Sequence, residues 1–488
     1  MRTYILLPLA VLLFAACNPP STDEPPPELG DPVELLDTWD GASFAELLEI
    51  EFWEGRDLVV FCSGVQGLNV YDVSDPSDMS FEDRTGFQGA NPSFPRCQRV
   101  ATEPGGERVY LVSHGDEVQP DPFISVVDAS EPDSLRPLET HFRDETVEGL
   151  TVAGDYLLVA AHQAGLLVFE RGAGGALTEL GSTPLTNAWN VQAADSLAYV
   201  ANGASGLAVV DYSDPQNPQV VAEVELPGTV KDVDIDGDRL FAALGEGGVG
   251  LLSLDDPRNP VLIEVEDTPG SSVALEYSGG KSQALYVADW NDIRVFDFQD
   301  RDDLGLIGRE PVSNVDGVVS RVFGIAANDD VFFSCNWTEM VSFRYHPGLQ
   351  APDLYLSRGF LQLADSEKGM SRGTILARNE GTQPLRINRI GAPDELSIVG
   401  LHGPLEVGQQ VIFEVLYDGS DSAWNGDVRI FTNDPDQPEQ EVAVEINVPG
   451  ITVGDQPPNF EFRDLDDNLL SLTDFGGAPV MLAYFNTF

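Results

Sequence analysis

A sequence repeat with a period in the low forties constrains the fold of this chain more than any other feature. Residues 67–76, GLNVYDVSDP, recur at 206–215 as GLAVVDYSDP. Looser copies place equivalent positions at Asp72, Asp128, Glu170, Asp211, Ser253, Asp297 and Arg344, with spacings of 56, 42, 41, 42, 44 and 47. Short β-branched stretches separated by turn residues at this period are typical of propeller blades. We therefore predict a seven-bladed β-propeller over residues 31–350.

Each repeat unit contains four strand-like pieces, which in the fourth unit cover 190–194, 197–201, 206–212 and 219–226. The Ser-Asp-Pro ending predicts a tight turn into the fourth strand, because Asp accepts backbone N–H groups and Pro presets φ. Blade seven lacks a fourth strand of its own. Residues 31–41 read as a fourth strand placed ahead of blade one, and we expect them to complete blade seven and remove an exposed sheet edge.

The repeat units resemble the LVIVD repeat family of bacterial surface β-propellers over roughly residues 31–348. In a propeller, the loops before the first strand and after the second strand share one face. On that face, aromatic, imidazole and guanidinium groups suited to a protein or surface ligand fall at Arg96, His114, His162, Trp189, Trp290, Arg321 and Trp337. The alternative is that the Trp side chains only pack neighbouring blades.

The formal net charge of −55 excludes a nucleic-acid partner, since phosphate backbones would be repelled. Dispersed acid suits a solvated, exported surface, and a Ca²⁺-dependent adhesin is an alternative. Residues 232–237 resemble the start of a calcium loop, but Ala243 occupies the position where Glu is needed, so a strand entering a turn is the better interpretation. The five His residues do not pair at metal spacing, and no hydrolase or nucleotide motif occurs. We predict no metal, cofactor or catalytic residue.

The first residues predict export. Arg2 precedes an apolar run that is too short to span a membrane stably, and Cys17 follows in LFAAC. This resembles a bacterial lipobox, which implies residues 1–17 as a lipoprotein signal peptide and lipidation at Cys17; plain secretion is the alternative. The Pro-rich residues 18–30 would form a tether. The expected location is the bacterial cell envelope, anchored to the outer membrane, cell surface or periplasmic side by a lipid.

Three further cysteines lie beyond the lipobox: Cys62, Cys97 and Cys335. Cys62 and Cys335 fall at equivalent positions in blades one and seven, which the closed ring makes neighbours, so a disulfide between them is one hypothesis. Equivalent strands of adjacent blades usually lie beyond the ~7 Å Cα separation that a disulfide allows. Three buried free thiols are therefore the favoured prediction.

The sequence pattern differs in residues 351–449, which predict six or seven strands separated by turns, as in an immunoglobulin-like β-sandwich. The phrases RNEGTQPLRI and IFTNDP resemble Ig-like domains of the abnormal-spindle/hydin type, which implies a spacer or interaction module.

Residues 450–488 begin with VGDQPPNFEF, continue through LTDFGG and end in VMLAYFNTF. They resemble the start of a redoxin domain of the thioredoxin-like family, which includes thiol-disulfide oxidoreductases and peroxiredoxins. The nucleophilic cysteine of that family would follow Phe488. We expect this incomplete α/β segment to be disordered or loosely packed, because fewer than ~40 residues cannot bury a core.

The fold class predicted from these observations is mainly β: a propeller, a sandwich and an incomplete thioredoxin-like domain. The predicted function is an envelope-anchored binding scaffold, whose partners are the membrane and an unknown protein or surface ligand on the propeller face. The alternatives are a thiol-disulfide oxidoreductase or peroxiredoxin-like enzyme in a longer parent protein, and a structural or Ca-dependent surface protein. The chain itself lacks catalytic cysteines of the redoxin type.

Overall fold

The structure is a computed structural model of the 488-residue chain. It describes residues 28–40, 47–63, 67–85, 97–114, 121–290, 292–299, 301–311, 321–336, 339–363, 371–417, 424–435, 437–446, 461–463 and 469–471. The described part divides into two compact units. The described residues of Met1–Asp353, Glu380–Pro384 and Asp434–Asp436 form the first unit, and those of Leu354–Asn379, Leu385–Asn433 and Gln437–Phe488 form the second.

Within the described residues, the first unit contains seven antiparallel four-stranded sheets, which are the blades of a β-propeller. Two strands precede blade one: β1 (Glu28–Leu29) and β2 (Val33–Asp40). Blade one consists of β3 (Leu47–Trp53), β4 (Leu58–Ser63), β5 (Gly67–Asp72) and β6 (Ser80–Thr85). Blade two consists of β7 (Arg99–Thr102), β8 (Arg108–Ser113), β9 (Phe123–Asp128) and β10 (Arg136–Phe142). Blade three consists of β11 (Gly149–Ala153), β12 (Tyr156–Ala161), β13 (Gly165–Arg171) and β14 (Leu177–Thr183), with a 3-10 turn at Ala173–Gly175.

The remaining blades follow the same order along the chain. Blade four consists of β15 (Asn190–Ala194), β16 (Leu197–Ala201), β17 (Leu207–Asp211) and β18 (Gln219–Val224), and blade five of β19 (Asp232–Asp236), β20 (Arg239–Ala243), β21 (Val249–Ser253) and β22 (Val261–Glu266). Blade six consists of β23 (Ala274–Ser278), β24 (Ala284–Asp289), β25 (Asp292–Asp297) and β26 (Gly305–Pro311), and blade seven contains β27 (Val322–Asn328), β28 (Val331–Asn336) and β29 (Glu339–Tyr345). After blade seven, β30 (Leu349–Gln350) pairs in parallel with β1.

The N-terminal strand β2 completes blade seven, as the sequence predicts. It pairs antiparallel with β29, from Val33 opposite Tyr345 to Asp40 opposite Glu339. The ring is closed by apolar side chains as well, because a hydrophobic core fills each junction between consecutive blades, including the junction of blade seven with blade one. No strand edge of blade seven is therefore left open on the β29 side.

The repeated turn chemistry is the predicted one. The Asp of the Ser-Asp-Pro ending accepts a hydrogen bond from the backbone N–H two residues on, at 3.1 Å for Asp75 and 3.2 Å for Asp214. The Asp residues at the end of the third strand do the same, at 2.8, 3.0 and 2.9 Å for Asp72, Asp128 and Asp211. The structure adds a feature that the repeat did not predict. The pairing of the third and fourth strands carries one register shift in every blade, and the shift recurs where β2 pairs with β29. Such bulges increase the local twist of the outer strands.

The disulfide hypothesis for Cys62 and Cys335 is wrong, and so is the prediction of three free thiols. Cys62 is bonded to Cys97, with a Cα–Cα separation of 5.0 Å, whereas Cys335 is free and buried. The reason is the two-residue period of a strand. Along β4, Val59 and Phe61 face the core shared with blade seven, while Cys62 faces the core shared with blade two, where Cys97 lies.

The second unit contains a β-sandwich of two four-stranded sheets among its described residues. One sheet has the order β31 (Leu354–Leu356), β33 (Ser371–Asn379), β36 (Gln410–Tyr417), β35 (Leu396–Val399), and the other has β32 (Phe360–Leu363), β38 (Glu439–Ile446), β37 (Trp424–Thr432), β34 (Ile387–Gly391). One hydrophobic core joins the two sheets, with Phe413, Val415, Val428 and Ile430 fully buried. The finer Ig-like assignment stays a prediction.

Two further strands, β39 (Glu461–Arg463) and β40 (Leu469–Ser471), form an antiparallel pair near the C-terminus. The described residues contain no α/β domain, so the predicted thioredoxin-like class is not observed there. The other residues of 450–488 lie outside the described part of the chain, as do Cys17 and residues 1–27 of the predicted signal and tether. No described helix is long and apolar enough to cross a membrane.

Candidate functional site

A cavity of about 550 Å³ lies at the centre of the propeller. Residues of the first strand of every blade line it, among them Glu51, Thr102, Thr151, Gln192, Asp232, Glu276 and Ala326. The cavity is the central channel of the ring, because the first strands of consecutive blades contact one another all the way round. Its walls therefore belong to seven separate stretches of sequence.

Carboxylates in this channel join one blade to the next. Glu51 accepts hydrogen bonds from the backbone N–H and the hydroxyl of Thr102, at 2.8 and 2.6 Å. Asp232 accepts from the N–H of Leu275 at 3.0 Å, and Asp234 accepts from that of Tyr277 at 2.8 Å. The first strand of each blade pairs with no other strand on its channel side. These carboxylates therefore accept hydrogen bonds from backbone N–H groups that would otherwise have no acceptor. The calcium-loop resemblance at 232–237 is accordingly part of a strand, as predicted.

Burial changes the ionisation of the channel acids. Desolvation raises the pKa of Glu49 to about 8, although Arg99 lies 2.8 Å away and opposes the shift. Desolvation likewise raises the pKa of Glu51 and of Asp234 to about 7 each, and raises the pKa of Glu276 well above its usual range. Part of this acid is therefore neutral near pH 7, which lowers the repulsion between the walls.

At one end of the channel, two of the predicted residues, His114 and His162, contact the same carboxylate, that of Glu148. Nε2 of His114 lies 2.5 Å and Nε2 of His162 lies 3.0 Å from Oε2 of Glu148. His114 follows β8, His162 follows β12, and Glu148 directly precedes β11. Burial opposes ionisation of Glu148, but the contacts with both rings outweigh it and hold its pKa at about 2. The contact with Glu148 is also the main cause that raises the pKa of His162.

An aromatic and amide shell surrounds these three residues. Nδ1 of His162 lies 2.7 Å from Oδ1 of Asn187, and the ring of Trp189 meets His162 edge to face at 5.5 Å. The ammonium of Lys231 sits 3.6 Å from the centre of the Trp189 ring, a cation–π contact. Burial lowers the pKa of Lys231. We call His114, Glu148, His162, Asn187, Trp189 and Lys231 the rim cluster.

Two buried donors next to the rim cluster have no acceptor among the described residues. They are Nε1 of Trp189 and Nδ2 of Asn202. Asn202 is fully buried, and its Oδ1 accepts a hydrogen bond from the N–H of Asn187 at 2.8 Å. Buried donors are nearly always paired, so this pocket is suited to an added acceptor.

The other predicted face residues divide into two groups. Arg321 stacks on Trp290, with 4.6 Å between the guanidinium carbon and the ring centre, at the junction of blades six and seven. Trp290 also packs edge to face on Phe323 at 5.6 Å, as the packing alternative expects. Arg96 and Trp337 lie outside the residues that the structure describes.

Sequence reasoning missed Glu148 and Asn187, and it did not connect His114 with His162. A metal was not predicted, because the two histidines are 48 residues apart and match no local spacing. In the folded ring this separation along the sequence does not matter, because corresponding loops of adjacent blades lie next to each other on the same face of the propeller. The usable signal was the position of both histidines directly after the second strand of consecutive repeats.

Comparisons with known proteins agree with the propeller. A family model described as LVIVD repeat matches residues 186–225. Among solved structures, the WD40 β-propeller domain of Doa1 aligns with a TM-score of 0.50 and 11% identity over 64% of this chain and 98% of that one. The β-propeller domain of Cps50 (Swd1) from Myceliophteria thermophila aligns with a TM-score of 0.49 and 9% identity, over 64% of this chain and 100% of that one. No curated protein matches the sequence.

These findings define the class of the protein at the level of fold. It is a β-propeller with an LVIVD repeat at residues 186–225, and the chain also contains a β-sandwich.

Proposed function

We propose that the protein is an extracytoplasmic binding scaffold, and that its ligand docks on the propeller end that carries the rim cluster. The observation that carries this proposal is a pair of buried donors, Nε1 of Trp189 and Nδ2 of Asn202, that find no acceptor in the described part of the chain and lie at an aromatic and cationic surface. An unsatisfied buried donor costs about 1–3 kcal/mol, which a ligand oxygen placed there would recover. Tryptophan at such a surface is a frequent centre of binding energy.

A site-specific photocrosslinker tests the location of the docking surface. Ala204 is exposed and follows Gly203, where an added Cβ would lie 3.1 Å from Nδ2 of Asn187 and 3.3 Å from Nε1 of Trp189, so a benzophenone side chain at Ala204 would reach the rim cluster. We expect the same adduct in intact cells at Ala204 in repeated experiments, and its loss when Trp189 is changed to Ala. The matched control is a benzophenone at Val261, which is exposed on the outer strand of blade five. An equal yield of the adduct at both positions would contradict a docking surface at the rim.

Lipid anchoring through Cys17 is part of the proposal. The Cys62–Cys97 disulfide supports an exported chain, because structural disulfides persist in oxidising compartments. In a bacterial host we expect the wild-type chain to carry a diacylglyceryl Cys17, detected by mass spectrometry, and to sediment with membranes. Cys17→Ser should release it into the soluble envelope fraction. Membrane association that survives this substitution would show that the anchor lies elsewhere.

A second candidate is thiol-disulfide exchange in a longer parent protein. The β39–β40 pair supports it, because the redoxin resemblance places a hairpin at this point. The reading frame after Phe488 tests the idea: Cys-x-x-Cys within the next few codons would support an oxidoreductase. A cysteine-free continuation would leave the scaffold function alone.

A further inference from the structure

The rim cluster holds three metal-ligating side chains in one small volume. The ligand atoms of His114, Glu148 and His162 all lie within 4.8 Å of one another. In a tetrahedral zinc site with bonds of about 2.0–2.1 Å, ligand atoms are separated by about 3.3 Å. The observed contacts of 2.5 and 3.0 Å to Glu148 are both shorter than that separation, so the two imidazoles would have to move slightly away from the carboxylate to admit an ion.

The hydrogen bond on the far side of His162 fixes which nitrogen faces Glu148. Oδ1 of Asn187 is an acceptor, so Nδ1 of His162 is the donor at 2.7 Å. A protonated ring donates Nε2–H to Glu148 at 3.0 Å, whereas in a neutral ring Nε2 carries a lone pair that faces the carboxylate and is available to a cation. A metal-bound histidine that donates its other N–H to an oxygen is the usual arrangement at protein metal sites.

His114 gives an independent indication. Its Nε2 is buried and has no hydrogen-bond partner of suitable geometry among the described residues, although Oε2 of Glu148 is only 2.5 Å away. A bound cation would give this buried nitrogen a partner. Two imidazoles and one carboxylate leave a coordination position open, as in zinc sites that bind an exogenous ligand.

We propose that His114, Glu148 and His162 bind a divalent transition-metal ion, with an open coordination position. The surrounding charge is compatible with this assignment. The chain carries a net charge of −55, which concentrates cations near its surface. Lys231, held over the Trp189 ring, and Arg99 are opposing charges near Glu148, and they favour an anionic group as the fourth ligand. The proposal does not depend on the proposed scaffold function.

Isothermal titration of the tag-free, chelator-treated full chain with Zn²⁺ near neutral pH tests the site. We expect one Zn²⁺ per chain with a Kd in the micromolar range or below. Glu148→Gln keeps the shape of the side chain and removes its charge, and it should weaken binding by at least about 100-fold, as should His162→Ala. His141→Ala is the matched control, because His141 also contacts a carboxylate, Glu139 at 3.2 Å, but lies outside the cluster on β10.

Two further readouts keep the test independent of folding defects. Saturating Zn²⁺ should raise the Tm of the wild type and of His141→Ala but not that of Glu148→Gln, provided that circular dichroism shows all three to be folded. Co²⁺ in place of Zn²⁺ should give the visible absorption bands of a four- or five-coordinate ion with nitrogen and oxygen ligands. Absence of Zn²⁺ binding in the wild type, or binding that Glu148→Gln leaves unchanged, would overturn the proposal and leave a protonated His162 as the partner of Glu148.

Discussion

A glycine at the entry to the third strand recurs in blades three, four and five and sets the backbone of the turn there. Gly165, Gly206 and Gly248 have φ values of 80°, 85° and 80°. A Cβ atom at each would lie 2.1 Å from a backbone carbonyl oxygen of the fourth strand. The repeat preserves glycine here for two reasons, the left-handed backbone and the close approach of that strand.

We expect Gly206→Ala to destabilise the propeller by roughly 2–4 kcal/mol, because a carbonyl cannot move away without breaking the pairing of β17 with β18. Chemical denaturation followed by tryptophan fluorescence measures the change. Gly154→Ala is the control: Gly154 also has a positive φ, of 60°, but a Cβ there would meet no atom within 4 Å. Equal losses in the two variants would show that backbone conformation alone, and not the close approach, accounts for the glycine.

The buried carboxyl groups of the channel make the folding stability depend on pH. The pKa values of Glu51 and Asp234 are about 7 and that of Glu49 is about 8 in the folded chain, all above those of unfolded carboxyls. The folded state therefore binds more protons than the unfolded state between roughly pH 5 and pH 8, and stability falls as the pH rises through this window. Retention of a proton by Glu276 acts in the same direction.

We predict that Glu51→Gln reduces this loss by roughly 1–3 kcal/mol between pH 5 and pH 8, since the amide stays neutral and its oxygen can still accept from Thr102. Denaturation midpoints at several pH values give the slope. Glu54→Gln, an exposed neighbour on blade one, should leave the slope as it is. A wild-type stability that rises over the same range would contradict the prediction.

At the scale of single elements, the strand that matters most is β2. It belongs to blade seven in space but to the N-terminus in sequence, and its bulged pairing with β29 repeats the outer-strand pairing of other blades. Val33 of β2 is 2% exposed and packs in the core between blades six and seven, while Leu35 is 56% exposed.

Val33→Asp should therefore lower the free energy of unfolding by roughly 3–5 kcal/mol, because it places an unpaired charge in a core that closes the ring. Leu35→Asp adds the same charge to the same strand at an exposed position and should cost less than about 1 kcal/mol. Thermal unfolding followed by circular dichroism compares the two. Similar losses would indicate that β2 is held mainly by its backbone pairing with β29.

Elements of the propeller were predictable from the sequence, and contacts across its channel were not. The repeat predicts the blades because similar turn residues, Asp72 and Asp211 among them, recur at similar offsets, and it predicts β2 because residues 31–41 resemble a fourth strand. Glu148 and Asn187 follow no such pattern, since each meets its partner only after the ring brings loops of different blades together. The Cys62 pairing was predictable in principle, because strand alternation alone directs Cys62 away from Cys335.

For the molecule as a whole, the disulfide joins blades one and two across a sequence separation of 35 residues. Closing a loop of this length stabilises a folded chain by about 3–4 kcal/mol through the entropy of the unfolded state. We expect Cys97→Ser to lose about this amount and Cys335→Ser to lose less, since Cys335 is bonded to no partner. Non-reducing peptide mapping should show a Cys62–Cys97 linkage in the wild type; a linkage to Cys335 would contradict it.

The position of β2 also determines when the protein can finish folding. Glu34 reaches its partner His346 across 312 residues. A chain that emerges N-terminus first must therefore hold β2 unpaired until blade seven has been made, while blades one to six assemble beside it. During that interval β2 is open to pairing with a neighbouring copy, and the edge of β29 is open in the same way from its synthesis until β2 pairs with it. Crowded synthesis would thus favour strand-exchanged oligomers, and dilution or a chaperone that shields β2 would favour the closed monomeric ring.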